Sequence, residues 1–134
     1  SPQDGRSPEQ LLPLLLEAVP PEPMSLALVK AELGSCVTEQ LLKRAQLSPA
    51  EAESLPILQP YARAAHVLQE AGRVQALQDA MGKGDLQGMA RVMNAGHASC
   101  RDLYHISTPR IERLRSAAAS AGALASRITG AGFG

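Results

Sequence analysis

The sequence predicts an α+β fold that is mostly helical, with one short strand near its C-terminal end. Three observations carry that expectation. Apolar residues make up 45% of the 134 positions but aromatics only 2%, so Ala and Leu supply the apolar volume and small-residue helix packing is favoured over an aromatic-rich sandwich. Cap-plus-proline signatures recur along the chain, which is how helices announce their starts. After Gly122 the pattern changes to Ala123-Leu124-Ala125-Ser126-Arg127-Ile128-Thr129, which fits a strand, and then to the glycine-rich run Gly130-Ala131-Gly132-Phe133-Gly134.

Taken in order, residues 1–10 are polar with two prolines and a glycine, and form a frayed lead-in. Ser7 can cap a helix with Pro8 at its first position and Gln10 closing a capping box; that helix runs to about Val19 and stops at Pro20, Pro21 and Pro23. A second runs from about Ser25 to Leu33 and ends at Gly34, a third from Thr38 to Gln46. Ser48-Pro49-Ala50-Glu51 starts a fourth, closed by Pro56 and Pro60. From Tyr61, helical spacing sets Tyr61, Ala64, Val67, Leu68, Ala71, Val74 and Met81 on an apolar face, with Arg63, His66, Glu70 and Arg73 as a polar stripe beside it. Gly82-Lys83-Gly84 ends this helix. The next places Leu86, Met89, Met93, His97, Cys100 and Tyr104 on one face. Thr108-Pro109 opens the last, with Ile111, Leu114, Ala118 and Ala121 inward and Gly122 closing it.

Charge and composition exclude several functions. Thirteen basic and thirteen acidic residues give a net charge of zero, without the basic stripe and interleaved aromatics of a nucleic-acid surface. No apolar run reaches the ~20 residues that a membrane-spanning helix needs. Cys36 and Cys100 have no metal-ligand spacing and suit a reducing compartment as free, buried thiols. The chain opens on Ser1 without a signal-peptide pattern, and Gly134 falls inside a glycine run, so a longer parent protein is expected.

Residue chemistry by itself shows no catalytic site: no GxSxG, no HExxH and no carboxylate pair. The glycine run can present backbone amides to a phosphate or form an ordinary tight turn. His66 reads as the partner of Glu70 in an exposed helix pair, and His97 as a satisfied core histidine rather than a dyad with Cys100. Arg110, Arg113 and Arg115 read as a solvated face.

Three blocks resemble a known family. Arg63-Ala64-Ala65-His66-Val67 with Glu70-Ala71 and Arg73-Val74 is similar to an RAxHV-xxEAxRV helix. Met93-Asn94-Ala95-Gly96-His97-Ala98-Ser99-Cys100-Arg101-Asp102-Leu103-Tyr104 resembles MNxSHxSCRDLYE, and Gly122-Ala123 with Ser126-Arg127-Ile128-Thr129-Gly130-Ala131-Gly132-Phe133-Gly134 resembles GAxGSRLTGAGWGG. From about Leu58 onward the chain is thus similar to the C-terminal half of galactokinase-family sugar kinases in the GHMP kinase superfamily. Pro21-Glu22-Pro23 to Gly34 resembles the helical insertion of the eukaryotic branch, which includes N-acetylgalactosamine kinase. Gly96 stands in place of the usual Ser, His105-Ile106 in place of Glu-Cys, and Arg110 where an acidic residue often follows the proline.

The resemblance implies a helical insertion or linker over 1–57 and part of a GHMP kinase C-terminal domain over 58–134. It implies phosphoryl transfer from MgATP to the anomeric hydroxyl of galactose or N-acetylgalactosamine, in a cytoplasmic protein whose partners are small molecules, with neither nucleic acid nor membrane. The family's Gly-Glu-His sugar segment, Ser-rich phosphate loop and catalytic Asp have no counterpart here. No catalytic residue is therefore assigned, ATP and Mg2+ are bound mainly outside these residues, and the 134 residues alone are expected to be inactive. Thr129, Gly130, Ala131 and Gly132, with Arg127 as an addition, are the implied supports near phosphates and sugar. For Arg127 a salt bridge that orients the strand is the alternative, and for the chain a non-catalytic kinase homologue or helical interaction module.

Overall fold

The computed structural model describes residues 7–55 and 57–130. Among these lie seven helices: α1 (Pro8–Ala18), α2 (Leu26–Leu33), α3 (Ser35–Arg44), α4 (Pro49–Glu53), α5 (Pro60–Gly82), α6 (Leu86–Asp102) and α7 (Pro109–Ser120). Local chemistry fixes most of their ends. Ser7 and Ser48 each form a full capping box, with Gln10 and Glu51 respectively, and Ser25 and Thr108 accept from amides three residues on. Gly34, at φ 80°, turns the chain directly from α2 into α3, so α3 starts three residues earlier than its spacing suggests. Pro60 does not close α4 but opens α5, as a first-turn proline can, while Pro56 lies outside the described residues.

α5 and α6 form an antiparallel pair joined through Gly84 and Asp85, and α1 lies along α5. Met24 and Leu58 exchange both backbone hydrogen bonds at 2.7 Å, which ties the start of α2 to the start of α5. The core is built of small residues: Ala52, Ala65, Ala80 and Ala90 are buried with Met24, Cys100 and Ile106, while the buried Gly88 and Gly96 leave room for the Asp85 carboxylate and the Arg127 guanidinium.

α5 buries only part of the face that its periodicity suggests: Tyr61, Ala64 and Leu68 are half-buried, and the polar stripe turns inward beside them. Val67, Val74 and Met81 are 60%, 53% and 61% exposed, whereas His66 is buried and Arg63, Glu70 and Arg73 are half-buried. The polar stripe turns inward because α6 and the C-terminal segment supply partners for Arg63, His66 and Glu70, while Arg73 bonds Glu70 and Gln69 within α5 and keeps one buried Nη2 unpaired. Paired polar atoms can be buried at little cost, and the alanines between them let the helices close. Leu86, Tyr104, Leu114 and Ala121 are likewise exposed rather than inward, and of the two cysteines only Cys100 is buried.

No strand forms among the described residues, which corrects the expectation for 123–129. A strand needs a ladder partner, and here the backbone groups of Leu124, Ser126 and Ile128 are taken up by side chains from α6 and α7. The described fold is therefore all-helical.

Candidate functional site

The site implied by the sequence sits on the segment that follows α7, and its geometry is set by what grips that segment. Every second residue is held. Asn94 Nδ2 donates to the Leu124 carbonyl at 3.1 Å, Arg115 Nε donates to the Ser126 carbonyl at 2.9 Å, and the Ile128 amide donates to His97 Nδ1 at 3.3 Å. Asn94 and His97 lie three apart and so share one face of α6, while Arg115 reaches across from α7 and binds Asn94 Oδ1 at 3.0 Å. A cleft of about 280 Å³ opens beside these contacts, bordered by Asn94, Arg115, Ser116 and Leu124.

Glu112 is the hub behind the grip. Its Oε1 accepts from His97 Nε2 at 2.7 Å and from the Ser107 hydroxyl, and its Oε2 lies 3.7 Å from both Arg101 and Arg115. The Ser107 hydrogen bond, then His97, hold its carboxyl below the usual glutamate range. Ser107 and His97 both address the same carboxylate, so Ser107 is not paired with an imidazole base and the cluster is not a nucleophile triad. His97 is a fully buried, satisfied core histidine.

A second polar layer joins the segment to α5. Arg127 Nη2 meets Glu70 Oε1 at 2.7 Å, and Arg73 Nε meets Glu70 Oε2 at 2.8 Å. Burial raises the Glu70 carboxyl, but its hydrogen bonds to Arg73 and Arg127 outweigh this and leave it lowered. Glu70 therefore serves the two arginines and not His66. The His66 Nδ1 instead pairs with the Ser99 hydroxyl at 2.8 Å, and its ring stacks on Tyr104 with centroids 4.7 Å apart. Burial, the largest influence, lowers the His66 pKa. Arg63 lies over the same Tyr104 ring and donates to the Leu103 carbonyl at 2.5 Å.

Of the expected site residues, Arg127 is half-buried and committed to Glu70, and its Nε donates to the Ile128 carbonyl at 3.2 Å. Thr129 and Gly130 are exposed, and Gly130 takes φ 85°, a left-handed turn that a side chain would resist. Ala131 and Gly132 lie outside the described residues. Arg110 and Arg113 are exposed as expected, but Arg115 is a brace. Glu112 and Arg115 lie outside the quoted motifs, and Asn94 lies in the second of them without a role that its residue type announces; after the turn through His105, at φ 56°, long side chains link α7 to α6.

Residues 76–134, which take in the end of α5, α6, α7 and the gripped segment, match the family described as GHMP kinases C terminal. Over 105 residues the chain is 36% identical to galactokinase of Bos taurus and 35% identical to that of Homo sapiens, covering 77% of this chain and 27% of each relative. Over 74 residues it is 47% identical to galactokinase of Roseiflexus sp. (strain RS-1), covering 54% of this chain and 19% of that protein. The chain thus spans about a quarter of the length of these relatives. With the match falling on the helices that brace the glycine-rich segment, residues 76–134 form a GHMP kinase C-terminal region, and the chain is similar to galactokinases.

Proposed function

We propose that this chain is part of an ATP-dependent sugar-1-kinase that phosphorylates the anomeric hydroxyl of galactose or N-acetylgalactosamine. In this reading residues 1–57 are a helical insertion and 58–134 contribute the C-terminal side of the site. The observation that supports it is the gripped segment: three side chains hold the backbone at 124, 126 and 128, directly before Thr129 and Gly130. Phosphoryl transfer depends mainly on positioning and charge stabilisation, so a rigid lead into a glycine-rich turn suits a support for phosphates and sugar.

Bound MgATP would supply the phosphoryl group and the metal charge that neutralises it. In this reading the residues that hold Mg2+ lie mainly outside this chain. Thr129, Gly130, Ala131 and Gly132 are the proposed supports; the Gly130 turn lets the backbone come close to a ligand without a Cβ in the way. Arg127 takes a positioning role, because its charge is spent on Glu70. A cytoplasmic location suits two free cysteines, and no described helix is long and apolar enough to cross a membrane.

The test is to read the transcript on both sides of this coding region and assay the translated product with MgATP and a panel of galactose, N-acetylgalactosamine and arabinose. Sugar-dependent ADP release is expected from the longer product and not from the 134 residues alone. Flanking sequence without a Gly-Glu-His segment, a Ser-rich phosphate loop and a catalytic Asp, or a longer product with no turnover, would favour a non-catalytic homologue.

A further inference from the structure

We infer that His97 is a positioning residue for the glycine-rich segment and works in a single tautomer, with Nδ1 holding the Ile128 amide and Nε2–H anchored on Glu112. The tether stands on geometry alone; its meaning for phosphoryl transfer rests on the kinase reading above.

The tautomer follows from donor and acceptor chemistry. A backbone amide can only donate, so the nitrogen that receives the Ile128 N–H, Nδ1 at 3.3 Å, must present a lone pair. The ring hydrogen then sits on Nε2, 2.7 Å from Glu112 Oε1, an acceptor. Glu112 is kept as that acceptor by the Ser107 hydroxyl and by the guanidinium groups of Arg101 and Arg115 around it. A carboxylate that fixes an imidazole tautomer through its far nitrogen is a general device for aiming the near one.

Position gives the tether its consequence. Of the three backbone grips, that on Ile128 lies closest to Thr129 and Gly130. The His97 side chain has no solvent exposure, so water has no ready route to replace the lost acceptor if the ring is aimed wrongly. The exposed residues beyond Ile128 would then inherit the freedom of an unanchored chain.

The first measurement uses the unaltered chain: a long-range nitrogen–proton correlation spectrum of the His97 ring, expected to show the hydrogen on Nε2. A hydrogen on Nδ1 overturns the inference outright. The second uses two variants that split the ring's roles. In His97→Asn an oxygen can occupy the place of Nδ1, and in His97→Gln a nitrogen can occupy the place of Nε2. Exchange of the Ile128 amide is expected to stay near the unaltered rate in His97→Asn and to rise about tenfold in His97→Gln. Amides in the middle of α6 serve as the folding control, and equal exchange at Ile128 in both variants refutes the tether. If either variant fails to fold, the tautomer still decides. Sugar-dependent ADP release plays no part in these readouts, so loss of the kinase reading would leave the tether tested in its own right.

Discussion

Replacing Arg115 with lysine tests the grip on the C-terminal segment most directly. Arg115 spends its fork on two targets, Nε on the Ser126 carbonyl at 2.9 Å and a terminal nitrogen on Asn94 Oδ1 at 3.0 Å. Lysine keeps the charge but offers one compact ammonium, which cannot reproduce two divergent planar donors. At least one charge-assisted hydrogen bond is lost, worth about 1.5–3 kcal/mol when well shielded. The side chain is 22% exposed, so the lower half of that range applies and about 2 kcal/mol is the working figure. That loss should fall on local opening of the segment rather than on global unfolding, because Arg115 reaches it from a helix that is itself intact. The Arg127–Ile128 bond lies inside the segment and is a trypsin site, so its cleavage under native conditions reports the open population. A loss of 2 kcal/mol corresponds to cleavage about 30-fold faster, measured by mass spectrometry of the released C-terminal peptide. Adding Asn94→Ala should cost less in the lysine background than in the unaltered chain by the share of the Arg115 contact, while the Asn94 bond to the Leu124 carbonyl is lost in both. Cleavage within about threefold of the unaltered chain would refute the claim that Arg115 braces the backbone, and full additivity would refute its coupling to Asn94.

Two further outcomes follow from single residues. The His66 pKa is lowered from its ordinary 6.5 chiefly by burial. The unfolded chain therefore binds a proton that the folded chain refuses, and His66's contribution is intact above pH 6.5 and is lost as pH falls below it toward the lowered folded value. Glu70 and Glu112 are shifted below 4.5 and act only at more acid pH, so thermal melts between pH 7.5 and 5.5 should fall less steeply in His66→Gln than in the unaltered chain; parallel slopes would refute the assignment. Gln46, exposed at φ 57°, sits just past the end of α3 in a conformation that glycine adopts freely. Gln46→Gly should stabilise the fold by about 0.5–1 kcal/mol in urea titration, after the glycine's extra unfolded-state freedom is subtracted, and a loss of stability would count against it.

Helix starts were legible because their chemistry is local: Ser7 with Gln10 and Ser48 with Glu51 satisfy amides within one turn of themselves. The face of α5 was not legible, because periodicity ranks residues by apolarity and cannot see that Ser99, the Leu103 carbonyl and Arg127 wait opposite His66, Arg63 and Glu70. The same limit hid the fate of 123–129. Its residue types suit a strand, but strand formation is decided by a partner, and side chains took the places that a ladder would fill. The glycine-rich motif and its family were readable from residue order; the apparatus that holds it, spread over Asn94, His97, Glu112 and Arg115, exists only once α6 and α7 pack.

Gly96 closes the account of that apparatus in an unexpected place. A Cβ built at this position would lie 2.8 Å from an Arg127 guanidinium nitrogen, so the arginine reaches Glu70 across volume that a side chain at 96 would claim. The path of Arg127 is thus set in part by the bare backbone at 96. The family motif pairs serine at the first position with the same arginine at the second, so there the flexible end of the arginine has to swing aside, whereas Gly96 leaves Arg127 a direct run to Glu70.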